Sequence, residues 1–460
     1  MGNTGSGALD TYLSRFTLDE QISINGLFDK LLKMEGGSSN GKKAITATML
    51  KGYLQEALPD AITIQLFNAM RNLDPSEKGS PASLHICKEQ LIIFLSYILR
   101  GNTHEKAMLV LSMITGSKEQ HVKGGQILEF TETLISSVLH LLKHRDLLKG
   151  WCLDGTRDIT EGVKLMAVHL TSELKLAGET VPMEKLLEAQ CDLDTIDDFL
   201  YRVSIISTLL NLLIREGLSI PMAYDESVSI LPQCKDVNWV QLRSILDLPS
   251  VMYLNSQLPA EVQHQWRLLF STKLHGESFS RLSGRIIRKG PTVVVVKDQK
   301  KHIFGGFASH SWEFKPQFQG SNRCMLFSIY PILSVYTCTG YNDHFMYLNQ
   351  GQKTMPNGLG MGGQHDYFGL WIDCDFGKGH SKAKPRCTTF NSPQLSAEED
   401  FIIDTVEVWA VGEPPDESQI KTKSILDADP EAQALLEMVG KPQQSVGLRE
   451  PEKEEEEDGK

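Results

Sequence analysis

Thr292-Val293-Val294-Val295-Val296 is the stretch on which the architecture turns. Four successive valines with no polar alternation read as a strand, and a strand with no polar side has to be covered on both faces. Working outward, similar apolar runs recur at 303–308, 325–329, 335–339, 345–348, 368–372 and 405–411. From Pro291 onward the chain is expected to be mainly β. Two helices are expected ahead of it, one at 258–270 around Trp266, Leu269 and Phe270, and a short one at 278–287.

The N-terminal half has a different texture. Thr17-Leu18-Asp19-Glu20 is a capping box, and Ile24, Leu27, Phe28, Leu31 and Leu32 follow it at helical spacing. The glycines from Gly36 to Gly41 break the pattern. Further helices are expected at 47–57, 61–73, 89–99, 104–114, 127–143, 160–176 and 196–215. Helix–loop–helix pairs of this size invite an EF-hand reading, with Asp74-Pro75-Ser76-Glu77-Lys78-Gly79 as the candidate loop. Asp74 is the one candidate metal ligand, and a weak one. Lys78 occupies a ligand position, and His85 stands where a bidentate glutamate belongs. Shifting the register puts Ile86 at the central apolar position and Gln90 at the end. A degenerate, EF-hand-like scaffold without calcium is therefore expected. A second acidic cluster, Asp192, Asp194, Asp197 and Asp198, lacks the loop glycine; Asp194 or Asp197 is expected to cap the helix that follows.

At 460 residues the chain is long enough for two or three domains. Its 41% hydrophobic and 23% charged content suits a soluble globular protein. The net charge of −12 argues against nucleic acid, which needs a cationic face. No run approaches the roughly 20 apolar residues of a membrane span, and no secretory signal follows Met1. The eight cysteines contain no C-x-x-C and are expected to be free thiols.

Met1-Gly2-Asn3-Thr4-Gly5-Ser6 fits the N-myristoylation pattern, with Gly2 as the acceptor. One acyl chain binds a bilayer only marginally, at about 10⁴ M⁻¹. Arg15 is the single basic residue among the first twenty, and the first cysteine is Cys87. Lasting membrane residence is therefore expected to come from a protein partner.

The second half resembles the TLDc domain. The residues that carry the resemblance are Leu269-Phe270-Ser271, Ser278-Phe279, Gly290-Pro291-Thr292-Val293-Val294 and Phe304-Gly305-Gly306-Phe307. They continue with Gly360-Met361-Gly362-Gly363, Gly369-Leu370-Trp371-Ile372-Asp373, Gly377-Lys378-Gly379-His380-Ser381, Cys387-Thr388-Thr389-Phe390-Asn391, Leu395-Ser396 and Glu407-Val408-Trp409. The resemblance implies an α+β fold in which two antiparallel sheets form a sandwich flanked by helices. It implies binding to the V-ATPase and a part in oxidative-stress resistance. With its lipidation start and helical N-terminal region, the whole chain is similar to animal members of the family that sit at the cytosolic face of the lysosomal membrane and support mTOR signalling. A calcium-responsive regulator and a redox-defence factor are the alternatives.

The glycines at 357–363 lack the Gly-Lys-Ser/Thr of a P-loop and are expected to serve turns and close packing. His302, His310, His344, His365 and His380 form no hydrolase or zincin motif. Asp343-His344 and His365-Asp366, if on strands, point to opposite faces. The expectation is a protein that is not an enzyme and uses no cofactor beyond an N-myristoyl group. Lys378, His380, Lys382, Lys384 and Arg386 make a local basic patch, a candidate partner or lipid contact. Asp429-Pro430 then starts a short helix with Leu435, Leu436 and Val439 on one face and Met438 beside it, a candidate docking helix. The tail from Glu450 carries seven acidic residues against two lysines. The expected organisation is a lipidated segment at 1–8, a helical module at 9–218, a connector at 219–243, a TLDc domain at 244–412, a linker at 413–428, the docking helix at 429–440 and an acidic disordered tail at 441–460.

Overall fold

A computed structural model describes residues 4–34, 44–73, 84–117, 119–221 and 230–415. Gly2, Asp74, the helix expected at 429–440 and the acidic tail lie outside the described residues.

The N-terminal half is helical, as its periodicity requires. Its elements are α1 (Thr4–Leu13), α2 (Leu18–Leu32), α3 (Ala47–Leu54), α4 (Asp60–Asn72), α5 (Lys88–Arg100), α6 (Thr103–Thr115), β1 (Val122–Lys123), α7 (Gly124–His144), α8 (Ile159–Ser172), α9 (Met183–Glu188), β2 (Gln190–Cys191), α10 (Leu193–Arg202) and α11 (Ser204–Gly217). The capping box starts α2: the Glu20 N–H donates to Thr17 Oγ1 at 3.3 Å, and the Thr17 N–H donates to the Glu20 carboxylate at 2.9 Å. Two short backbone bridges tie these helices in pairs. Ile45 and Ile86 exchange N–H···O bonds of 2.8 and 2.9 Å, and Val122 pairs with Cys191 between β1 and β2.

The single helix expected at 196–215 is two. Val203 leaves the helical region at φ −107°, ψ 64°, and its N–H closes α10 on the Phe199 carbonyl. The break has a packing cause: α10 lies against α6, whereas α11 lies against α5 and α7. Asp192, not Asp194 or Asp197, is the cap, accepting from the Thr195 N–H at 2.9 Å.

The second half adds β3 (Gln233–Lys235), α12 (Leu248–Gln257), β4 (Gln265–Ser271), α13 (Thr272–His275), α14 (Phe279–Ile286), β5 (Thr292–Asp298), β6 (Ile303–Ala308), β7 (Lys315–Gln319), β8 (Met325–Tyr330), β9 (Ser334–Thr337), β10 (Met346–Asn349), β11 (Gly358–Gln364), β12 (Tyr367–Asp373), β13 (Lys378–His380) and β14 (Asp400–Val411). The sheets expected as a pair form one twelve-stranded sheet in the order β7-β10-β11-β12-β13-β14-β5-β6-β8-β9, with β4 also on β14 and β3 on β4. All these pairings are antiparallel except β3 with β4. The long strand β14 makes the continuity, pairing with β13 through Asp400–Ile402 and with β5 and β4 farther on.

Residues 258–270, expected as a helix, are a turn followed by β4. Strand β4 is buried almost throughout, so its apolar run does not alternate and mimics a buried helix. The valine run behaves as its composition demands. Val293 and Val295 belong to a core shared with the helical half, whereas Val294 and Val296 face a second core between the two arms of the sheet. Each buried valine stabilises the fold by about 2 kcal/mol. Because the first core also takes in Trp266, Phe307, Phe327 and Trp409 with Leu209, Leu213 and Val251, the helices and the sheet form one compact unit ending at Glu413.

Candidate interaction surfaces and the junction behind them

Where the helices meet the sheet, four tryptophans gather. The Trp151 ring lies 5.3 Å from Trp409, 5.8 Å from Trp239 and 6.2 Å from Trp266. Each indole N–H is satisfied: Trp151 by the Pro232 carbonyl at 2.9 Å, Trp239 by Gly150 at 2.8 Å, Trp266 by Asn255 at 3.0 Å and Trp409 by Glu407 at 3.2 Å. Glu407 is wholly buried on β14. It accepts from the Ser244 hydroxyl at 2.7 Å and the Ile245 N–H at 3.0 Å, which pins the chain entering the sheet domain. Burial pushes its carboxyl up to about 7. Asp247 is also buried, 3.3 Å from Arg157, and burial raises its carboxyl despite that partner.

The lysine-rich loop lies at β13 and beyond, on the arm of the sheet away from β5. Its charges are less free than the sequence implies. The Lys378 ammonium stands 3.2 Å from Asp375 and that of Lys384 2.7 Å from Glu399. Lys382 sits 5.7 Å over the Tyr367 ring. His380 stacks on Trp371 at 5.8 Å, and burial, helped by Lys382, lowers its imidazole to about 4, so it is neutral at pH 7. The structure thus gathers His380, Lys382 and Lys384 around Glu399 and holds Lys378 at Asp375, so acidic partners stand among the lysines.

Beside this loop is an aromatic platform that the sequence does not announce. Tyr347, Gly360, Trp371 and His380 are opposed in successive strands, forming one row across the sheet. Gly360 leaves the room: a Cβ there meets the Phe368 ring at 2.6 Å. Phe368 stacks on Trp371 at 4.5 Å, and Phe318 stacks on His344 at 4.1 Å and on His365 at 5.2 Å. Cross-strand register, not spacing along the chain, creates the cluster. The glycines expected to serve turns and close packing lie mainly in strand β11, where they serve close packing rather than a turn. His365-Asp366 is the turn between β11 and β12, with Asp366 at φ 64°, and not a strand pair.

The groups with chemical potential are engaged structurally. The Ser309 hydroxyl contacts His310 Nδ1 at 2.8 Å, Ser321 at 2.9 Å and the Cys324 sulfur at 3.2 Å; no carboxylate bonds His310 among the described residues. Asp373, Cys374 and Asp375 place ligand atoms within 4.8 Å of one another, on a turn where Asp375 holds Lys378. Burial and the two neighbouring carboxylates raise the Cys374 thiol.

In the helical half, the residues four positions beyond the bridging Ile45, Ile86, Val122 and Cys191 are Met49, Gln90, Gln126 and Thr195. None is a carboxylate. Gln90 accepts from the Cys87 N–H at 2.9 Å and donates to the Arg71 and Leu73 carbonyls at 3.0 and 2.8 Å, so its amide ties the start of α5 to the end of α4. Gln126 accepts from the Lys123 N–H at 2.8 Å in the corresponding place. Among the described residues, no helix is long and apolar enough to cross a membrane.

Residues 240–412 match the family model described as the TLDc domain. The chain is 55% identical to the MTOR-associated protein MEAK7 of Gallus gallus over the full length of both. It is 47% identical to the Homo sapiens protein of that name, over 98% of this chain and 99% of that one. The Nuclear receptor coactivator 7 of Homo sapiens is 33% identical over 40% of this chain and 18% of its own length. With a TLDc domain and similarity running from end to end, the chain belongs to the MEAK7 family of TLDc-domain proteins.

Proposed function

We propose that this protein is a non-enzymatic, mTOR-associated interaction protein that binds the V-ATPase at the cytosolic face of the lysosomal membrane. The observation that carries the reading is end-to-end similarity to relatives named for their association with mTOR. Its mechanism is multivalent: the myristoyl group on Gly2, the TLDc surface around Lys378, Lys382 and Lys384, and the segment 429–440, expected from its sequence as a helix, engage one membrane assembly. Contacts that are individually weak gain affinity when one body links them. The continuous core from the helices into the sheet supports this, because a stiff body fixes the distance between its attachment points.

The helical half reads as two EF-hand-like pairs, joined at Ile45–Ile86 and Val122–Cys191. Met49, Gln90, Gln126 and Thr195 stand where bidentate glutamates close calcium loops, which weighs against the calcium-responsive alternative.

Affinity purification from lysosomal membranes tests the proposal, comparing intact protein, Gly2→Ala and a truncation ending at Gly412. Pump subunits and mTOR are expected with the intact chain, with less membrane recovered for Gly2→Ala and fewer pump subunits for the truncation. Intact chain recovered without pump subunits or mTOR overturns it.

A further inference from the structure

Two of the free cysteines stand opposite one another at the edge of the sheet. Strands β8 and β9 pair with Met325 opposite Thr337, Leu326 opposite Tyr336, Phe327 opposite Val335 and Ser328 opposite Ser334. One more step in the same register sets Cys324 opposite Cys338. Directly opposed residues of an antiparallel pair have Cα atoms about 4.5–5.5 Å apart and side chains on one face. A disulfide requires roughly 4.4–6.8 Å. The surroundings agree: Cys324 is buried in the core between the arms of the sheet, and Cys338 packs against that same core. The two thiols also interact electrostatically.

Each sulfur has a donor. The Cys324 sulfur takes the Ser309 N–H at 3.3 Å and lies 3.2 Å from the Ser309 hydroxyl; the Cys338 sulfur takes the Gly340 N–H at 3.3 Å. Their exposure differs. Cys324 is 1% exposed, and burial raises its thiol, whereas Cys338 is partly open to solvent.

We propose that Cys324 and Cys338 are a redox modification site, closing to a reversible cross-strand disulfide when the chain meets hydrogen peroxide. Cys338, the accessible sulfur, attacks as thiolate on a peroxide oxygen. The O–O bond breaks, a sulfenic acid forms, and the departing hydroxide takes up the thiol proton as water. The Cys324 sulfur then attacks the sulfenic sulfur; the S–S bond forms, the S–O bond breaks and a second water leaves. Two thiols lose two electrons and two protons, and one peroxide becomes two waters. A partly exposed bond of this kind is readily returned by a dithiol reductant, in keeping with transient disulfides in reducing compartments. Strand β9 ends the sheet order, so the bond staples an edge strand to its neighbour. The inference needs neither the lipid nor a partner and stands apart from the proposed function.

The test uses the reduced, full-length protein treated with hydrogen peroxide. Both cysteines fall in one tryptic peptide between Arg323 and Lys353. After alkylation under non-reducing conditions, that peptide is expected to lose two hydrogens and to regain them with dithiothreitol. In Cys324→Ser, Cys338 is expected to run on to the sulfinic acid instead. Amide exchange in β9 is expected to slow about tenfold on oxidation of the wild type. A wild-type peptide in which Cys338 goes directly to sulfinic acid, or in which both thiols stay reduced while other cysteines of the chain oxidise, overturns the assignment. The wild-type measurement needs no variant to fold.

Discussion

Glu407→Gln isolates the lock between the two halves of the molecule. Burial carries the Glu407 carboxyl from an ordinary 4.5 to about 7. At 1.36 kcal/mol for each unit of displacement, ionising it in the fold costs about 3 kcal/mol. The sign follows from the direction. A carboxyl raised on folding contributes its full stability below about 4.5, and that contribution is lost as pH rises through about 7. Between pH 5 and pH 8 the wild type therefore gives up roughly 2.5 kcal/mol at this residue. Glutamine keeps the shape and cannot ionise. Its carbonyl, in the place of Oε1, accepts from the Ile245 N–H, and its amide, in the place of Oε2, donates to the Ser244 oxygen, which turns to receive it; the Trp409 indole N–H loses its acceptor equally at every pH, an offset that does not alter the pH dependence of the gap. Urea unfolding of both proteins at pH 5, 6, 7 and 8 reads the effect as the difference between two curves, in which the other titrating groups cancel. The gap is expected to move by about 2.5 kcal/mol toward the variant as pH rises. Parallel curves would refute the reasoning, because they mean the carboxyl is hydrated or charged throughout.

Further predictions come from the same contacts. Gln90→Glu removes the amide that donates to the Arg71 and Leu73 carbonyls and sets a carboxylate against both oxygens, so it should lower stability by about 2 kcal/mol in urea and create no calcium response by calorimetry. Gly360→Ala drives a Cβ into the Phe368 ring and should cost about 1–3 kcal/mol, with the Trp371 fluorescence environment altered. Trp151→Ala opens the tryptophan cluster at the junction and should lower stability by about 3–5 kcal/mol in chemical denaturation. Equal stability of that variant and wild type rejects the junction as an energetic element.

How much of this was legible depends on the range over which each feature is written. The Thr17 cap and the stripe through Ile24, Leu27 and Leu31 are local, and helix α2 follows directly. The valine run states its own two-sided burial, though not what covers it. Strand β4 resembles a helix in the sequence because burial on both faces erases the alternation that separates the two. The break at Val203 was hidden because the apolar residues keep their spacing while the helices turn to different neighbours. The glycines of β11 gave their spacing but not their register, and the aromatic row exists only once Tyr347, Gly360, Trp371 and His380 stand side by side. Glu407 and Ser244 are 163 residues apart, so nothing along the chain marks them as partners. The lysines of the patch were visible; Asp375 and Glu399, which temper them, become neighbours only through the fold.

The central claim is that the helices and the sheet move as one body, so that contacts made at one end bear on those made at the other. Native-state hydrogen exchange under increasing urea tests it most directly, following amides of α7, α8 and α12 together with those of β4, β5 and β14. The account predicts that their slowest amides merge into one opening with a common free energy and a common urea dependence. Opening of the helical amides as a separate, cheaper unit, with the strands still protected, would contradict it.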